Sequence, residues 1–209
     1  MGDRTSSPRR RRNPEQTRKA IIDALLETLQ EGVFTPTSKT IAARAGVSER
    51  SLFVHFHSLE DLLAAVTEQQ SRYVEALFAD MDAELPLDQR IDIAVGCSEA
   101  VFALQRNPRK LGLVQSHTAE AVDQRMRRTD QHIHDSLARL FAPELHRDGT
   151  LDVELLDMID ATATWAYRHH LTERRGLSTQ AASHAVGRML RALLTTAHLD
   201  SGNEQATTP

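Results

Sequence analysis

A chain of 209 residues has room for one sizeable core or for a small module joined to a larger one. Residues 1–56 hold ten Lys or Arg against six Asp or Glu, a formal charge of +4, while the remainder holds fifteen against twenty-three, a charge of −8. A basic front on an acidic body suits an N-terminal part that meets a polyanion. Cys97 is the single cysteine, which excludes an internal disulfide framework or a zinc site of several thiolates and suits a reducing cytoplasm. No segment approaches the roughly 18 uninterrupted apolar residues of a membrane span, so a soluble, cytoplasmic protein without a membrane partner is expected.

Residues 1–13 are mostly Ser, Pro, Gly and Arg, with nothing to bury, and are expected to form a disordered basic arm. From Pro14 the apolar spacing is helical, carried by Ile21, Ile22, Leu25, Leu26 and Leu29, and Gly32 is a stop signal. Thr37 can cap a second helix with Ile41, Ala42 and Ala45 inward, ended by Gly46. Ser48 can cap a third, in which Leu52 and Phe56 make the buried face while Glu49, Arg50, Ser51, Val54 and His55 are left mainly outside. Two short helices joined by a turn of a few residues form a helix-turn-helix unit.

Beyond it, Leu59, Leu62, Leu63, Val66, Tyr73, Val74, Leu77 and Met81 trace a long amphipathic helix that Pro86 ends. Further helices are expected over 88–106, 108–115, 117–142, 151–175 and 178–199, punctuated by Pro108, Pro143 and Gly176, with no strand and no internal repeat. The last residues read as a polar tail. The expected fold is all-α, with an arm over 1–13, a three-helix helix-turn-helix DNA-binding domain over 14–60, a helical ligand-binding and dimerisation domain over 61–200, and the tail over 201–209.

The stretch Thr37, Ile41, Ala42, Ala45-Gly46-Val47-Ser48, Leu52-Phe53, His55-Phe56, Glu60 and Leu62-Leu63 resembles the DNA-binding domain of the TetR family. The resemblance covers residues 14–64; further on it extends to length and helix number. It implies a sequence-specific transcriptional regulator, most simply a repressor that a small molecule releases, acting as a homodimer on a near-palindromic double-stranded operator. Two positions depart from the family: Phe53 stands where tyrosine is common and Leu59 where lysine is common, both residues that usually touch phosphate. His55, His57, Lys39 and the arginine arm are the candidate compensating groups.

The third helix directs its N-terminal end at the major groove in such a unit. Candidate DNA-binding residues are therefore Ser38 and Lys39 at the start of the second helix and Ser48, Glu49, Arg50, Ser51, Phe53, Val54 and His55 on the third. Arg50 suits guanine and Glu49 suits cytosine. Arg9 to Arg12 suit the backbone or the adjacent minor groove.

Candidate effector-binding residues come from helical faces that mix apolar and hydrogen-bonding groups: Cys97, Val101 and Gln105 on one helix, Met126 with Val122 and Ile133 on another, and Thr162, Trp165 and His169 on a third. No cluster of Lys or Arg falls on these faces, so a moderately hydrophobic organic effector is expected, set against Trp165 and oriented by Gln105 or His169. The same residues serve equally as ordinary core. Dimerisation is expected from helix 151–175, apolar on two faces, together with Ala182, Val186, Met189, Leu190, Leu193 and Leu194 of the next helix.

Histidines at 132, 134, 169 and 170 are spaced by one or two, which points their rings to different helix faces, so no metal is expected. No zinc-protease, phosphate-loop or nucleophile-elbow motif is present, so neither a cofactor nor enzymatic activity is expected. Two alternatives stay open: a constitutive or architectural DNA-binding protein without an effector, and a helical enzyme or carrier. DNA binding at a stated salt concentration separates the last from the others, and ligand-dependent release separates the first two.

Overall fold

The computed structural model describes residues 13–79, 81–147 and 149–200; the basic arm up to residue 12 and the tail from 201 lie outside them. Eleven α-helices and one short hairpin make up the described chain. They fall into two compact units, one ending at Val66 and the other beginning at Thr67.

The first unit starts with α1 (Pro14–Gln30), where Asn13 caps the helix by accepting a hydrogen bond from Glu15 N–H at 3.3 Å. In α2 (Ser38–Ala45), Thr37 Oγ1 accepts from Thr40 N–H at 3.2 Å. Gly46 then takes φ +67°, the left-handed conformation that costs glycine nothing and ends the helix. Ser48 Oγ accepts from Ser51 N–H at 3.1 Å and starts α3 (Glu49–His55). Ser58 caps α4 (Leu59–Leu77), accepting from Asp61 N–H at 3.0 Å.

Each helix of this unit gives its apolar stripe to one small core. Ile21, Leu25 and Leu29 of α1, Ile41 and Ala42 of α2, Leu52 and Phe56 at α3, and Leu62 and Val66 of α4 are all buried, and α1, α2 and α3 pack on one another. Every burial of such a side chain contributes about 1.5–3 kcal/mol. The order of caps and apolar positions is the one the sequence predicts.

The second unit contains the rest of α4 and α5 (Leu87–Gln105), α6 (Pro108–Gln115), α7 (Glu120–Leu140), α8 (Ala142–Leu145), α9 (Val153–Ala163), α10 (Trp165–His169) and α11 (Thr179–Asp200). Its main core joins Ile91 and Ala94 of α5, Leu137 and Leu140 of α7, Leu155, Leu156 and Ile159 of α9, and Val186, Leu190 and Leu194 of α11. Two buried arginines tie it together. Arg90 meets Glu144 through two bonds of 2.5 and 2.6 Å and donates to the Leu85 and Leu140 carbonyls at 2.8 and 3.0 Å. Arg168 donates to Ser98 Oγ, Ser183 Oγ and the Val95 carbonyl at 2.8–3.0 Å. With so many donors satisfied, burial is tolerable for both guanidiniums.

Three expectations need correction. A strand pair does exist: β1 (His146–Arg147) pairs antiparallel with β2 (Thr150–Leu151), with Gly149 at φ +78° in the turn. The helix expected over 151–175 is broken. Thr164 adopts φ −68°, ψ 159°, donates to the Ala161 carbonyl at 2.9 Å and caps α10, the competition with helix that hydroxyl side chains offer. After α10 the chain widens into a π-helical turn (His170–Arg174), and Gly176 at φ +72° closes it. Finally, Ala182, Val186, Leu190 and Leu194 of α11 are fully buried within the single chain. They pack in its own core and are not available to a second copy, because α5 and α9 already cover that face.

Candidate nucleic-acid interface and ligand cleft

The capped turn from Gly46 to Ser48 sets α3 with its apolar residues inward and the opposite face bare. Leu52 and Phe56 are buried, whereas Glu49, Arg50, Phe53 and Val54 are exposed and Ser51 and His55 half-buried. Val54 is 73% exposed, an apolar side chain held against water. Ser38 Oγ donates to Glu49 Oε1, joining the first turns of α2 and α3, so Glu49 has one oxygen engaged. Arg50 and Lys39 are exposed and make no ion pair among the described residues.

The other basic residues here are engaged. Arg44 pairs with Glu31 at 2.5 Å, Lys19 with Asp23 at 2.5 Å, and the Arg18 guanidinium lies 4.5 Å from the centre of the Phe56 ring. The Arg44 partnership holds the Glu31 carboxyl below its ordinary range, against a smaller opposing effect of burial. Nine predicted residues thus lie on or beside one exposed surface, with Ser48 serving as the cap of α3. Arg9 to Arg12 lie outside the described residues.

In the second unit a cleft of about 220 Å³ opens between α5, α6, α7, α9 and α10, with Phe78, just after α4, also in its lining. Val101, Gln105 and Trp165, three of the seven predicted effector residues, line it, and so does Ile133. Trp165 is 9% exposed, its indole N–H is buried with no hydrogen-bond partner among the described residues, and its ring stacks on His169 at 4.6 Å and 8°. His169 is stacked on the indole and is not in the lining; burial foremost, then Lys110, pushes its pKa down.

The remaining three candidates pack elsewhere. Cys97 donates from Sγ to the Leu77 carbonyl at 3.2 Å, and burial pushes its thiol up. The Met126 thioether fills the space over Gly112, where a Cβ would stand 3.0 Å from Sδ. Thr162 returns its hydroxyl to the Met158 carbonyl at 2.8 Å.

Charge enters the cleft from residues the sequence reading left out: Arg109, Asp130 and Asp160. Arg109 Nη2 donates to both carboxylate oxygens of Asp130, at 2.8 and 2.7 Å. Asp160 makes no hydrogen bond or ion pair among the described residues, and burial above all holds its carboxyl above the usual range, reinforced by Asp130 and Asp157 and opposed by His134. The signal for Asp130 was present, since it lies four residues after Met126 and three before Ile133, on the face already singled out. Asp160 and Arg109 had none, because only the packing of α6 against α7 and of α7 against α9 brings them together.

Comparison with known proteins finds a family match within the first unit. Residues 21–66 match the family model described as bacterial regulatory proteins, tetR family. The chain is 31% identical over 108 residues to uncharacterized HTH-type transcriptional regulators of Mycobacterium tuberculosis and Mycobacterium bovis, an alignment covering 47% of this chain and 54% of theirs. The chain thus spans about half the length of the curated relatives it matches. Among solved structures it is similar to a transcriptional regulator from Rhodococcus sp. Rha1, with TM-score 0.67 and 15% identity over 88% of this chain and 97% of that one. It is also similar to GusR of Salmonella enterica, with TM-score 0.63 and 20% identity over 92% and 100% of the two chains. At these identities the structural likeness establishes the fold.

Proposed function

We propose that the chain, whose residues 21–66 match the tetR family of bacterial regulatory proteins, is a repressor of that kind. It binds a near-palindromic DNA operator as a homodimer and leaves it when a small organic molecule occupies the cleft of the second unit. The observation that carries the DNA reading is the exposed face of α3. A helix fixed at its N-terminus by Ser48 and anchored by Leu52 and Phe56 offers Arg50 and Val54 to base edges, as reading helices do in the major groove. Ser38 and Lys39 lie at the start of the neighbouring helix, suited to the flanking backbone.

Effector release is supported by the cleft, whose lining is mostly apolar with a few polar groups. A ligand acts on the operator only by binding the DNA-incompetent state more tightly than the competent one. α4 carries residues of both units on one continuous helix, which suits it to pass such a preference on. For the dimer, the apolar side chains left bare on the last helices are Val153 and Met158 of α9 and Met189 of α11, each at least 42% exposed, and a second copy is their proposed cover.

The deciding experiment is selection of bound DNA by the full chain at fixed salt, followed by Arg50→Ala. The variant should lose about 1–3 kcal/mol against the selected operator and almost nothing against scrambled duplex. An unchanged ratio between the two would remove base reading from Arg50. Failure of the wild type to select any sequence would remove the regulator reading itself.

A further inference from the structure

Resting on the reading of the cleft as an effector site, we propose that its occupant is a small lipophilic organic cation, an amine on a single ring or short chain, whose ammonium meets the Asp160 carboxylate beside Trp165. Charge balance in the lining carries this. Arg109 and Asp130 cancel through their two bonds of 2.8 and 2.7 Å. Asp160 is then the one charged group of the lining without a partner among the described residues, so the cleft presents a net negative charge.

Asp160 is half-buried, and a carboxylate that loses part of its hydration with no ion pair to replace it gains from a cation brought to it. Asp130 and Asp157 add negative potential at Asp160, which favours a cation there, while burial, the larger effect, likewise holds the Asp160 carboxyl above the usual range. His134 acts against them, but its ring is already 3.5 Å from Asp157 and 3.6 Å from Asp135.

The rest of the wall suits the body of such a ligand. Trp165 and Phe78 supply aromatic surface, which tolerates cations and favours apolar rings. His169, stacked on the indole but outside the lining, has its pKa lowered, by burial foremost, which disfavours a positive charge beside the site. An anionic ligand finds the only guanidinium of the lining already occupied. The volume of about 220 Å³ lies under the roughly 300–1,000 Å³ of drug-sized sites, which sets the size at one ring or a short chain.

The test uses the full chain and the fluorescence of Trp165, the single tryptophan, with three probes of one shape: phenethylamine, phenethyl alcohol and phenylacetate. The amine should bind at least about tenfold more tightly than the alcohol, the worth of one charge-assisted contact, and phenylacetate should not bind. Asp160→Asn should bring amine and alcohol to equal affinity. Should that variant fail to fold, Arg109→Gln, which frees the Asp130 carboxylate in the same lining, should tighten the amine and leave the alcohol unchanged.

Equal or tighter binding of the alcohol or of phenylacetate to the wild type overturns the cation assignment, and so does an amine preference that survives in Asp160→Asn. If the amine binds as described yet leaves operator affinity unchanged, the cation site stands and the effector reading fails. No fluorescence response to any of the three overturns the cation assignment.

Discussion

Deleting residues 2–12 tests where the affinity for DNA comes from. Between Asn13 and Val66 the chain has five Lys or Arg against seven Asp or Glu, and three of those five are engaged: Lys19 with Asp23, Arg44 with Glu31, Arg18 over Phe56. Only Lys39 and Arg50 are exposed and unpaired among the described residues. Ahead of them the sequence places Arg4 and Arg9 to Arg12 against a single acid, Asp3.

Each neutralised phosphate contributes about −0.9 to the slope of log K against log salt. With Arg50 at base edges, Lys39 supplies about −0.9 per chain, and the five arginines up to about −4.5. Truncation should flatten the slope by more than half, and the loss should be largest at low salt. Asn13, which caps α1, is retained, so the fold survives the deletion. Anisotropy titrations of a labelled operator over a salt series measure both slopes. If they coincide, the arm makes no phosphate contact, and the reasoning from charge fails.

Three other outcomes are expected. Phe53 is 44% exposed, so Phe53→Tyr adds a hydroxyl at no cost to the core; DNA affinity should rise several-fold for specific and scrambled duplex alike, by about 0.5–1.5 kcal/mol, and a gain confined to the operator would contradict a phosphate contact. Glu144→Ala leaves the Arg90 guanidinium, 4% exposed, without its counter-charge and should cost about 3–5 kcal/mol in urea unfolding; a loss under about 1 kcal/mol would show that the Leu85 and Leu140 carbonyls suffice. Asp160 has a pKa raised by burial, so the folded state binds its proton more tightly than the unfolded state. Its contribution to stability is therefore complete below the unfolded value and lost as pH rises through the folded one. Asp160→Asn should then melt higher than the wild type at neutral pH and lose that advantage in acid; a variant that melts lower throughout would refute the unfavourable burial of the carboxylate.

The helix-turn-helix was legible in the sequence because its determinants are local. Thr37 and Ser48 bond to backbone three residues on, and Gly46 needs its left-handed φ whatever surrounds it, so residue type and spacing suffice to fix caps, turn and the inward pair Leu52 and Phe56. The second unit is different. Helical periodicity there marks α5, α6 and α11 to within a few residues; of the effector candidates, Val101, Gln105 and Trp165 line the cleft. Periodicity does not say which of several apolar faces points into the cleft, and Cys97, Met126 and Thr162 lie outside its lining. Nor does sequence spacing contain the break at Thr164, the burial of α11 against α5 and α9, or the meeting of Arg109, Asp130 and Asp160. Those are contacts between residues far apart in the chain, and their energy depends on which helices cover one another, a choice that only the tertiary structure makes.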